Sequence, residues 1–342
     1  MWLLAAAATS SCALLVSLDS LEGDAGDATA DAIPDAATDA APDCGACPGS
    51  VIAATGAQPG LAAIGGLVAW TDAVSIHLVY EDGGAFPLDA ALAPTNPLDP
   101  YAGEMAAKGG TFLAALNSGS AGFVHGCTND ALSCFNEMSQ LNNAYRLVAD
   151  SQGSYVVTAS SVAACNSPGT CGSSYAVMLP PDAGPFKSLA LSSTMLFWSN
   201  GTGGTIASVP RDAVVDAGAT PTTFVSGQSN ATELASDATN LYWVEYDANA
   251  IHACPLAGCT SPTLVYAGSG YGGFTRMVSD GAYLYFLATQ PPAVLACPVS
   301  GCVGQATLVM AGVQNPMRIA LTTHDVVVAD WTLNELLVAP RL

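Results

Sequence analysis

Four of the seven basic residues in this 342-residue chain stand where they could act together. Arg146, Arg276 and Arg318 each come directly before a short apolar run, and Lys187 lies one step further back from another. Glu104, Glu233, Ser188 and Gly60 occupy the same place before their own runs. Guanidinium forks held side by side grip a carboxylate or phosphate through paired N–H donors. One reading of these residues is therefore an anion-binding funnel. The other is internal ion pairing, Glu104 with Arg146 and Glu233 with Arg276, which leaves Arg318 and Lys187 without an obvious partner. Either chemistry requires seven separate segments to start around one common point.

A repeat supplies those segments. LASDATNLYW at 234–243 recurs as MVSDGAYLYF at 277–286, and weaker copies begin at Leu61, Met105, Leu147, Leu189 and Ile319. A period of forty-odd residues marks a solenoid or propeller in which one repeat is one supersecondary unit. Each repeat reads as a short strand of small apolar residues, a turn, an aromatic-rich strand, and two more strands. Four antiparallel strands make one propeller blade, and blades must stack because a lone one exposes two apolar faces. The expectation is an all-β, seven-bladed propeller, with six blades as the alternative because the first two repeats match least well. The last repeat ends after three strands, so Ser50–Thr55 should supply the fourth and close the ring, removing an open sheet edge. First strands line a propeller's channel, which would bring Arg146, Arg276, Arg318, Lys187, Glu104 and Glu233 to one mouth. Asn142, Asn143, Tyr145, Tyr271, Gln314 and Asn315 lie in the adjoining loops, where propellers bind.

Ten of the eleven cysteines form close pairs: Cys44/Cys47, Cys127/Cys134, Cys165/Cys171, Cys254/Cys259 and Cys297/Cys302. Such pairs read as local disulfides of an extracytoplasmic protein. Zinc would need ligands converging from two close pairs, and these pairs sit on different blades. Cys44-Gly-Ala-Cys47 has redox-motif spacing without a thioredoxin-like context, so it too reads as structural. His77, His125 and His252 fall on third strands of different blades and His324 in a turn, which speaks for packing or surface roles. Asp150, Asp237 and Asp280 share the turn after the first strand, where Asp caps its own turn by accepting backbone N–H groups. No metal and no cofactor is expected.

Hydrophobic residues make up 51% of the chain and charged residues only 10%, a balance for short strands rather than charged helices. The net charge of −21 repels nucleic-acid phosphates, so no nucleic-acid partner is expected. Residues 1–21 read as an export signal, although no Lys or Arg precedes the apolar stretch. Cys12 follows Thr9-Ser10-Ser11 and resembles the lipidated cysteine of a bacterial lipobox; the alternative reading places it inside a signal removed further on. Residues 22–43 carry seven acids, no bases and no aromatic residue, and so read as a flexible acidic linker. The propeller should occupy 44–342, held by a lipid anchor at the outer membrane or cell surface, as a monomer.

Trp70-Thr71-Asp72, Tyr242-Trp243 and Phe197-Trp198-Ser199-Asn200 resemble the Tyr-Trp-Thr-Asp signature of a propeller family that is usually six-bladed. Cys254-Pro-Leu-Ala-Gly-Cys259 and Cys297-Pro-Val-Ser-Gly-Cys302 resemble the Cys-Pro-x-x-Gly-Cys hairpin of surface-lipoprotein propellers of myxobacterial type. The resemblance implies the fold and carries no shared activity. The expected role is a non-catalytic binding or scaffold module whose channel mouth meets a protein, a glycan or a small anion. The rival is an enzyme, a metal-dependent lactonase or a lyase, which would need acids or His on the first strands. Those strands carry mainly Leu, Ala, Val and Ser.

Overall fold

The computed structural model describes residues 49–55, 60–71, 76–84, 104–118, 121–129, 134–159, 161–166, 170–174, 176–177, 186–200, 203–211, 220–268 and 270–342. The expected leader, linker, Cys12 and Cys44/Cys47 lie outside them, as does Asp72. Every regular element among the described residues is a strand, and the strands form seven sheets.

Blade 7 combines β1 (Ser50–Ala54) with β25 (Pro316–Leu321), β26 (Asp325–Asp330) and β27 (Glu335–Pro340). Blade 1 is β2 (Leu61–Ile64), β3 (Leu67–Thr71) and β4 (Ile76–Tyr80), and a fourth strand would fall outside the described residues. Blade 2 runs β5 (Glu104–Lys108), β6 (Thr111–Ser118), β7 (Ala121–Thr128) and β8 (Cys134–Asn142). Blade 3 is β9 (Arg146–Asp150), β10 (Gly153–Val157), β11 (Val162–Cys165) and β12 (Ala176–Val177). Blade 4 is β13 (Ser188–Leu191), β14 (Met195–Asn200), β15 (Thr205–Pro210) and β16 (Thr222–Ser226). Blade 5 is β17 (Ala231–Ser236), β18 (Asn240–Glu245), β19 (Ala250–Pro255) and β20 (Thr263–Ala267). Blade 6 is β21 (Met277–Ser279), β22 (Tyr283–Thr289), β23 (Pro292–Pro298) and β24 (Thr307–Met310). The count is seven, not the six usual in the Tyr-Trp-Thr-Asp family.

The ring closes as the sequence implies. First strands touch in the cycle β2–β5–β9–β13–β17–β21–β25 and back to β2. Strand β1 pairs antiparallel with β27, Ser50 opposite Val338 and Ala54 opposite Glu335. Because strand side chains alternate between faces, each blade can feed two interfaces at once. Tyr242 packs toward Phe274 and Phe286 of the blade 6 side, while its neighbour Trp243 packs toward Phe197 and Ile206 of blade 4. Seven apolar clusters result, one at each junction between adjacent blades. Burying a large aromatic side chain of this kind stabilises by about 1.5–3 kcal/mol, so the junctions, not the isolated blades, hold the ring.

Three of the five expected disulfides are present at the outer corners: Cys165–Cys171, Cys254–Cys259 and Cys297–Cys302, with Cα separations of 5.8, 5.3 and 5.5 Å. They fit an oxidising compartment. The pair Cys127/Cys134 corrects the expectation, because both remain thiols. The bonded pairs lie five or six residues apart. Cys134 instead begins β8 and stands directly opposite Cys127 in the ladder. Burial, reinforced by the Cys134 thiol, pushes the Cys127 thiol well above its ordinary pKa. No helix among the described residues is long and apolar enough to cross a membrane.

Candidate functional site

Six of the seven equivalent positions converge. Glu104, Arg146, Ser188, Glu233, Arg276 and Arg318 line one end of the central channel, over a cavity of about 150 Å³. Its wall is aliphatic, built by Leu61, Met105, Leu147, Leu189, Leu234 and Ile319 from successive first strands. The channel continues past Ala149, Ala190, Ala235 and Val278 into a wider space of about 350 Å³.

The charged residues brace each other both between neighbouring blades and across this mouth. Arg146 reaches Glu104 at 3.0 Å and Glu233 at 2.5 Å. Arg276 reaches Glu104 at 2.6 Å and Glu233 at 3.4 Å. Each glutamate therefore lies between two guanidiniums, and both pairings expected from the sequence form alongside two that were not. Arg318, expected to lack a partner, approaches Glu104 at 3.7 Å, donates to the Met317 carbonyl and lies 5.2 Å over the Trp331 ring. Lys187 departs from its expected place: its side chain is exposed, and only its carbonyl joins the cluster by accepting from Arg146 Nε. Ser188 contributes structure, its hydroxyl accepting from the Leu234 backbone N–H of the next blade.

Burial and charge compete here. Burial opposes the charge on Arg146, but Glu233 and Glu104 outweigh it and hold the guanidinium pKa above its usual value. Burial raises the Glu233 carboxyl above its ordinary range, and Arg146 offsets that only in part. Three guanidiniums face two carboxyl groups, a local excess of at least one positive charge in a chain of net charge −21.

The loops beside the mouth are held by a residue the sequence reading passed over. Asp330 is fully buried, and its carboxylate accepts from the backbone N–H groups of Gln314, Asn315, Thr332 and Leu333. That clamp fixes the loop before β25 and the turn carrying Trp331, and so positions Arg318. Its signal is an acid ending a strand whose interior is Val and Ala (DVVVAD, 325–330). Tyr145 stands exposed at the rim, whereas Gln314 and Asn315 contribute their backbone to the clamp. Asn142 is exposed, and Asn143 and Tyr271 are half-buried.

A second arginine system was also missed. Asp150 caps its turn through the Gln152 and Gly153 N–H groups, as expected, and also takes a bidentate grip from Arg211 of blade 4 at 2.5 and 2.6 Å. Arg211 Nε donates to the Tyr155 hydroxyl, and its ring of contacts closes on the Ser192 carbonyl. The same device joins blades 6 and 7, where Asp280 caps its turn and meets Arg341 at 2.6 Å. Blade 5 has the cap without the arginine, so the Tyr242 hydroxyl donates to Asp237 directly. The signal was the repeated Pro-Arg at 210–211 and 340–341, against Pro-Leu at 255–256 and Pro-Val at 298–299.

The histidines stay apart, as expected. His77 stacks on Trp70, His252 stacks on Trp243 and meets Glu245 at 3.0 Å, and His324 meets Glu81 at 2.7 Å. His125 lies 3.1 Å from Asn136.

No protein-family model matches the chain, and no curated protein matches it in sequence. Solved structures do resemble it in shape. A streptogramin B lyase structure matches with a TM-score of 0.63 at 10% identity, covering 84% of this chain and 95% of the other. YCF48 bound to D1 peptide matches at 0.57 and 11% identity, covering 84% and 93%. Human WBSCR16 matches at 0.53 and 10% identity, covering 83% and 86%. At these identities the likeness is one of fold, and fold does not carry function.

Proposed function

We propose that this propeller is an exported, membrane-tethered module that binds rather than reacts, and that its channel mouth receives a small carboxylate or phosphate, free or carried on a protein or glycan. One observation carries the reading: three guanidiniums gathered over two carboxylates at the entrance of an aliphatic channel. An arriving anion would neutralise the excess charge, and the apolar wall beneath would strengthen the interaction by excluding water. Export and tethering rest on the apolar leader, Cys12 and the acidic linker, and the three disulfides agree with that compartment.

The enzyme alternative has less to draw on. Among the described residues the carboxylates on the cavity wall are Glu104 and Glu233, each held between guanidiniums, and no histidine lines it. Neither carboxylate is placed to act as a base while so engaged.

Calorimetric titration of the purified chain with succinate and with inorganic phosphate tests the reading. Binding of at least one, weakened about tenfold in Arg318→Ala and weakened further by salt, is the expected result. Absence of binding by both probes, or an Arg318→Ala protein that binds as well as the parent, removes it.

A further inference from the structure

Blade 2 breaks the pattern of the disulfide corners. Strands β7 and β8 place His125 opposite Asn136 and Cys127 opposite Cys134, and residues two apart on a strand share a face. One donor atom from each of His125, Cys127 and Cys134 lies within 4.8 Å of the others. In tetrahedral zinc with Zn–S near 2.3 Å and Zn–N near 2.0 Å, neighbouring ligand atoms stand roughly 3.4–3.8 Å apart. The three donors therefore need to close by about an ångström or less, within reach of side-chain rotation alone.

We infer that His125, Cys127 and Cys134 form a zinc site at the junction of blades 1 and 2. The donor set suits this metal, since two thiolates and an imidazole are soft-to-borderline ligands that oxygen-preferring cations do not favour. The surroundings suit it too. Cys127 is buried, and both cysteines pack into the cluster that includes Ala62, Leu67 and Phe112. Asn136 Oδ1, 3.1 Å from His125 Nδ1, can hold the ring and fix which nitrogen carries the proton, as outer partners of metal-binding histidines do. Three protein ligands leave a fourth position for water or an incoming group.

The equivalent corners cannot do this. In blades 3, 5 and 6 the cysteines are consumed in disulfides. Blade 5 has His252 at the position of His125, but its Nε2 is engaged by Glu245. The site also differs from the zinc arrangement considered from sequence, which sought two cysteine pairs. One cysteine pair and a histidine of the same blade suffice. It would join the β7–β8 edge as a disulfide joins the other corners, with the difference that the link comes and goes with the metal.

The test uses the full chain, isolated without reductant in the presence of zinc. Elemental analysis should find one zinc per chain, and Co²⁺ in its place should give the intense absorption of a tetrahedral thiolate complex. Cys134→Ser should abolish that thiolate absorption. His125→Ala should weaken zinc binding more than tenfold and Asn136→Ala about tenfold. Both His125 and Cys134 are only part-buried, so these variants should keep the far-ultraviolet dichroism of the parent and all three disulfides. The inference is overturned if the zinc-treated protein yields a Cys127–Cys134 disulfide on peptide mapping. It is equally overturned if cobalt binds without a thiolate band, or if Cys134→Ser binds zinc as the parent does.

Discussion

Arginine meets carboxylate on two different terms in this ring. At the blade 3–4 and blade 6–7 junctions, one guanidinium faces one carboxylate, and the aspartate is also satisfied by its own turn. The charges balance and the geometry is local to two blades. At the channel mouth, three guanidiniums share two glutamates drawn from separate blades, and the balance is left positive. The first arrangement is a clasp with nothing left over to offer a ligand. The second is a brace that holds the mouth together and still attracts an anion. Arg content alone would not separate them; the ratio of guanidinium to carboxylate does.

The sharpest way to break the comparison is Arg211→Ala. It leaves Asp150 and the Tyr155 hydroxyl without their shared partner, and removing one member of a buried pair is costly. Because the Asp150 side chain keeps 37% of its surface in water, the loss should be about 2–3 kcal/mol, less than for a fully buried pair. Urea denaturation should show that loss while anion binding at the mouth stays at the parent level. A parallel loss of binding would mean that the two systems are coupled.

Acid titration should separate them next. Burial alone would raise the Asp150 and Asp280 carboxyls. Hydrogen bonds from arginine and from backbone N–H groups outweigh it and hold both below the ordinary 3.8. Their stabilisation is complete above that value and is lost as pH falls through the depressed ones. Glu233 has the opposite sign: its pKa lies above the ordinary 4.5, so its contribution is present below 4.5 and fades as pH rises through the folded value. Urea midpoints followed from about pH 3 to pH 7 should flatten on the acid side in Arg211→Ala and above pH 4.5 in Glu233→Gln. A Glu233→Gln protein with the parent's slope above pH 4.5 would contradict the assignment.

The smallest expected effect is the most specific. Above the raised pKa of that carboxyl, Glu233→Gln removes one negative charge from the mouth and should tighten succinate or phosphate binding about fivefold, from roughly 1 kcal/mol of added attraction in a partly screened site. Calorimetry at low and moderate salt would read it. An unchanged or weakened affinity would assign the cluster to bracing alone.

The frame of the molecule was open to reading because strand starts recur at Leu61, Met105, Leu147, Leu189, Leu234, Met277 and Ile319, and each lies in an inner strand. Closure by Ser50–Ala54 followed from the missing last strand. Convergence of the mouth residues followed from their equal position in the repeat. What the repeat could not convey is reach. Arginine and glutamate side chains span the channel, so partners came from across the ring as well as from the next blade, and Arg318 gained Glu104. Lys187, one residue displaced, fell outside that reach. Cys127 and Cys134 misled because their nearness in sequence resembles that of the bonded corners, whereas these two stay thiols directly opposite each other on β7 and β8. Asp330, Arg211 and Arg341 carry no unusual spacing to a catalytic motif, and only comparison of whole repeats exposes them.

The outermost strand of blade 7 is the earliest-made described strand of the propeller, and its hydrogen-bonding mate β27 is the latest. During synthesis β1 leaves the ribosome with its backbone donors and acceptors unmatched and must wait until β27 has followed. A prematurely terminated product would therefore carry an unmated strand at one end and a blade 7 lacking its other strands at the other, both open to aggregation or proteolysis. Completion of the ring thus doubles as a check that translation has run to the end of β27.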